Sequence, residues 1–143
     1  MNQFIAYPNE TCVSLVIPTG ELPLEQVAIK DVPADTPYIF VTEADLPDND
    51  FYNAWEIVSE KIQVNLNKAK ELHKEKIRVA RKPLFESLDV QFQRALEDGE
   101  DTKEIVAQKK ALRDATVIPD TIKNTEELKD FWNEELLGAS PYV

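Results

Sequence analysis

The chain has 143 residues, 43% of them hydrophobic and 30% charged, with a formal net charge of −11. That is an ordinary globular composition, long enough for one domain or for one small domain with a helical extension. No run of 18 apolar residues occurs, which argues against a membrane span, and the acidic balance disfavours nucleic acid as a partner.

The first 66 residues have strand character. The opening MNQFIAYPNETC has neither a basic n-region nor an apolar h-region, so no secretory signal is expected. Thr11 to Pro18 (TCVSLVIP) is β-branched and closes on Pro-Thr-Gly, a turn signal. In LPLEQVAIKDVP, Leu24, Val27 and Ala28 fall at helical spacing, which predicts a short helix before Pro33. PYIFVTEADLP reads as a second strand running into an acidic loop. Trp55 to Val58 and Ile62 to Leu66 are two short β-like runs around Ser59-Glu60-Lys61, the pattern of a small hairpin. Prolines at 8, 18, 23 and 33 argue against any long element in this region.

At Asn67 the apolar period changes from two to 3.6, and Asn67 itself has the chemistry of a helix cap. Ala69, His73, Ile77, Ala80, Leu84, Leu88, Phe92 and Ala95 recur at steps of three or four, one continuous helical face. Pro83 interrupts the run but not its phase, and Lys82 is a poor cap, so one kinked helix is expected. Asp98-Gly99-Glu100-Asp101 reads as a reversal, with Gly99 left-handed and Asp101 or Thr102 capping the return. The returning helix TKEIVAQKKALRDA carries Ile105, Val106, Lys109 and Leu112 on its inner side. Asn124-Thr125-Glu126-Glu127 has the spacing of a capping box, followed by Leu128, Trp132 and Leu136 on one short helix that stops at Gly138. The expected fold is therefore α+β. A small N-terminal antiparallel β unit (1–66) precedes a long kinked helix, a helical hairpin and a short C-terminal helix (67–143).

Two helices alone do not bury enough apolar surface to offset the entropy of ordering them. The apolar stripe must dock on the β unit, on the last helix, on another copy or on another protein.

Charge is divided along the chain. Residues 1–60 hold eleven carboxylates and one cation, Lys30. Residues 61–82 hold eight Lys or Arg against Glu71 and Glu75, and residues 83–143 hold seven cations against fourteen carboxylates. Glu71 and Glu75 can pair with Lys74 and Arg78 at i,i+3, so the basic segment reads as a surface for acidic neighbours and not as a nucleic-acid site.

Catalytic constellations are missing. His73 is the only histidine, sits among Lys70, Lys74 and Lys76 on a helix, and is read as a packing residue. Asp45, Asp48 and Asp50 invite a calcium reading, but counting from Asp48 the sixth position is Asn53 and the twelfth Ser59, so the EF-hand pattern fails. Three glycines leave no phosphate-cradling loop, and Trp55 and Trp132 read as core anchors. The lone Cys12 can form neither an intrachain disulfide nor a thiolate metal site, which suits a reducing cytoplasm. The expectation is a non-enzyme without cofactor, metal or small-molecule substrate.

DLPDNDFYNAWEI, the stretch from Asn67 to Thr116, and EELKDFW together resemble small tail-assembly and tail-fibre-assembly chaperone-like proteins of tailed bacteriophages. The likeness covers residues 45–136. It is carried by Ile77-Arg78, Arg81-Lys82-Pro83-Leu84, Leu88-Asp89, the Asp98-Gly99 turn and Gln108-Lys109-Lys110-Ala111-Leu112-Arg113-Asp114. It implies a protein-binding role in tail or tail-fibre assembly, in the host bacterial cytoplasm. Similar hairpins also occur in phage proteins that stay in the virion, so a structural component of tail, baseplate or fibre attachment is the alternative. Partners would be other tail proteins or copies of this chain, with no nucleic acid or membrane. Ile77, Leu84, Leu88, Phe92, Ile105 and Leu112 form the candidate interaction face, with Lys74, Arg78 and Arg81 as candidate electrostatic contacts.

Overall fold

Phe4-Ile5-Ala6-Tyr7 shows no alternation, yet Gln3–Pro8 forms strand β1 at the centre of a three-stranded antiparallel sheet. Ile5 and Ala6 are adjacent and both fully buried, because the sheet is covered on both faces. A doubly covered strand does not display the period-two signature, which is why the sequence pattern misses it. The computed structural model describes residues 3–142. Strands β2 (Val13–Val16) and β3 (Ile39–Thr42) flank β1 in the order β2-β1-β3.

One face of this sheet packs Ala6, Val13 and Val41 against Trp55 and Ile62 of a hairpin made by β4 (Trp55–Val58) and β5 (Lys61–Val64). The other face packs Ile5, Tyr7 and Val16 against Val27, Ala28 and Val32 on and beside helix α1 (Leu24–Asp31). The hairpin turn is two residues, tighter than expected. Ser59 (φ 51°) and Glu60 (φ 64°) are both left-handed, and Lys61 already pairs with Val58. This matches the twist of the strands, although neither residue is the usual Asn or Gly.

Helix α2 (Leu66–Asp98) starts one residue ahead of the expected cap. Asn65, not Asn67, accepts the Lys68 N–H at 3.2 Å, and its carbonyl accepts from Ala69 at 2.9 Å. As the in-phase face predicts, the helix continues through Pro83. Pro83 and Val79, the residue whose carbonyl loses its donor, are both exposed, so water can satisfy that group.

The reversal is a Schellman motif. Gly99 has φ 69°, Glu100 N–H reaches Ala95 O at 2.8 Å and Gly99 N–H reaches Leu96 O at 3.3 Å. Helix α3 (Lys103–Asp114) follows, with Asp101 accepting the Lys103 N–H at 3.0 Å.

The C-terminal segment differs from the single helix expected. It forms α4 (Thr125–Asp130) and α5 (Glu134–Leu137), separated where Phe131 leaves helical geometry at φ −81°, ψ 69°. Asn124 caps α4 by accepting from Glu127 N–H at 2.8 Å, whereas Glu127 reaches back to Lys123 N–H at 3.0 Å and not to Asn124 itself. Asn133 then caps α5 through Leu136 N–H. The chain divides into two compact units, residues 1–69 and 70–143.

Candidate protein-interaction surface

Within the C-terminal unit, Ile77, Leu88, Leu112 and Leu137 form the buried core, joined by half-buried Leu84, Phe85, Ile105, Trp132 and Leu136. The question of what lies against the stripe thus has an answer inside the chain: α5 and the residues before it. Of the six residues singled out as an interaction face, Ile77, Leu88 and Leu112 are buried in this core. Leu84, Phe92 and Ile105 are half-buried.

The covering is incomplete. Two open grooves of about 410 Å³ each meet at Leu136. One is lined by Leu84, Leu88, Gln91, Gln108 and Leu112, the other by Ile77, Ala111, Ala115, Phe131 and Trp132. Toward the tip, Phe92 is roofed by Lys109, whose ammonium lies 5.2 Å from the ring centroid and pairs with Asp89. Val90, Leu96 (59% exposed) and Val106 are uncovered there. Val106 was expected on the inner side of α3 and is instead on the surface. It lies about 120° around the helix from Leu112, at the edge of the stripe.

The three basic candidates separate by role. Lys74 pairs with Glu71 at 3.1 Å and Arg78 with Glu75 at 3.0 Å, the two local pairs that the i,i+3 spacing foretold. Arg81 is a structural cap and not an open contact. Its guanidinium donates to Leu112 O at 3.1 Å and Arg113 O at 3.4 Å, satisfying carbonyls at the C-terminus of α3, and it lies 5.5 Å from the Phe85 ring.

His73 is the one fully buried polar side chain among the described residues. Its Nε2 lies 2.6 Å from Phe131 O, and a carbonyl can only accept, so Nε2 carries the proton. In the neutral ring Nδ1 then accepts from the Tyr142 hydroxyl at 2.5 Å. Burial, reinforced by nearby Lys76, pushes its pKa down from 6.5, against the upward pull of the Phe131 bond. Lys76 and Lys129 both lie over the Tyr142 ring. The imidazole therefore ties helix α2 to Phe131 and Tyr142 of the C-terminal segment.

The acidic loop is also structural. Asp45 accepts from the Thr42 N–H at 2.8 Å and from its hydroxyl at 3.0 Å, bonds that hold its carboxyl below the usual range. Asp48 accepts the Asp50 N–H at 3.0 Å. Among the described residues no group of three His, Cys, Asp or Glu side chains converges on a metal position. No helix of the described residues is long and apolar enough to cross a membrane.

Comparison with known protein families, with curated proteins and with solved structures finds no match to this chain.

Proposed function

We propose that this is a tail-associated protein of a tailed bacteriophage, acting by protein–protein binding as a chaperone or adaptor in tail or tail-fibre assembly. The observation that carries this reading is the uncovered end of the hairpin. Val90, Leu96 and Val106 remain exposed on helices whose inner residues Ile77, Leu88 and Leu112 pack with Trp132, Leu136 and Leu137 of the C-terminal segment. Exposed aliphatic side chains on a rigid helical pair suit docking on an apolar patch of another protein. The likeness of residues 45–136 to phage assembly proteins supplies the biological setting.

The test is co-expression of the tagged chain with the tail genes of its own phage, alongside mass spectrometry of purified virions. A tail component should co-purify, Leu96→Asp and Val106→Asp should each release it, and mature particles should lack the chain. Stoichiometric presence in virions would replace this reading with that of a structural tail component.

A further inference from the structure

The three-stranded sheet treats its two edges differently. The Tyr52 hydroxyl donates to Val13 O of β2 at 2.5 Å and Lys68 donates to Thr11 O in the turn before it at 3.2 Å, so side chains cover the start of that edge. Along β3 the Thr42 N–H turns outward to Asp45. Backbone orientation alternates along a strand, so the N–H and C=O of Phe40, two residues earlier, point outward as well. Among the described residues neither group has a partner across that edge. Phe40 lies opposite Ile5, on the face that α1 covers, yet it is 42% exposed, and its ring sits 5.7 Å from that of Tyr38, itself 40% exposed. The strand has neither lysine nor proline within it, the usual guards of an open edge.

We propose that the outer edge of β3 accepts an extended basic segment of a partner protein by strand addition, with apolar side chains seated on Tyr38 and Phe40. Main-chain pairing supplies the attachment and alternate side chains the selectivity. Charge chooses the partner. Residues 1–60 hold eleven carboxylates and one cation, and Asp35, Glu43 and Asp45 flank the strand. A second copy would bring two such surfaces together, whereas a segment alternating Lys or Arg with aliphatic residues complements both the charge and the aromatic pair. This inference stands on the N-terminal unit and does not depend on the phage reading.

The probe is a fluorescein-labelled heptapeptide alternating arginine and valine, compared with its fully N-methylated form, which keeps every side chain and loses every strand donor. The unmethylated peptide should bind the full chain, methylation should weaken it at least tenfold, and Phe40→Lys should do the same with an unchanged circular dichroism spectrum. Should that variant misfold, hydrogen exchange on the unaltered chain decides: the Phe40 amide should slow at least tenfold when peptide is added. Equal binding of the methylated peptide, no binding, or an unaffected Phe40 amide would overturn the proposal. So would a dimer of the chain that dissociates on Phe40→Lys.

Discussion

A single buried imidazole organises the end of the chain, and its chemistry sets a pH dependence. His73 donates to Phe131 O, accepts from Tyr142 and has a pKa held below 6.5. Between its folded pKa and 6.5 the unfolded chain binds a proton that the fold excludes. The stabilising effect is thus complete above 6.5 and is lost as pH falls toward the folded value. Urea midpoints measured from pH 7 down to 5 should fall in the native chain. They should fall less in His73→Gln, which keeps a donor and an acceptor but does not titrate. Equal slopes in the two proteins would mean that His73 protonates freely in the fold. Arg81 makes a related point at the same scale. A residue that looks from its charge like a partner contact is already used, because the last carbonyls of α3 lie within reach of its guanidinium.

At the level of elements, Pro83 is the clearest internal conflict in α2. An interior proline is about 3 kcal/mol worse than alanine, and its stiffening of the unfolded chain returns only about 0.4–1 kcal/mol. Pro83→Ala should therefore raise stability by about 2 kcal/mol, read as a higher urea midpoint with an unchanged slope. A lower midpoint would show that the proline's geometry is itself needed to aim the hairpin. That α2 would continue through this residue was legible in the sequence, because seven apolar positions and His73 keep one phase on both sides of it. The α+β class, α1, the β4–β5 hairpin and the Gly99 reversal were legible for similar reasons, each marked by a period or by a turn residue. β1 was not, since burial on both faces erases alternation. The break between α4 and α5 was hidden by Leu128, Trp132 and Leu136, whose four-residue spacing mimics one helix. The signal that could have shown it is Asn133-Glu134-Glu135, an asparagine cap ahead of two acids that echoes Asn124 ahead of Glu126 and Glu127. For the candidate surface, the stripe was visible but its occupant was not. Periodicity identifies an apolar face and carries no information about which segment covers it.

For the molecule as a whole, the occupant of the stripe decides what the hairpin can offer to others. Leu128 is fully buried, Leu137 nearly so, the Trp132 indole donates to Gly138 O at 2.9 Å, and Tyr142 meets His73. These contacts make residues 124–142 an internal ligand of the hairpin, and the exposed Val90, Leu96 and Val106 lie outside its cover. A chain ending at Lys123 would present Ile77, Leu88 and Leu112 to water together with an unpaired buried-type imidazole. Each large apolar side chain so exposed forfeits about 1.5–3 kcal/mol, and marginal stability does not absorb several such losses. The truncated chain should bind the dye ANS, lose helical circular dichroism and self-associate in the ultracentrifuge. A synthetic peptide covering residues 124–143, added in trans, should reverse all three. If the truncated chain stays monomeric and melts as before, the C-terminal segment is not what holds the stripe, and the hairpin's inner face would return as a surface open to a partner.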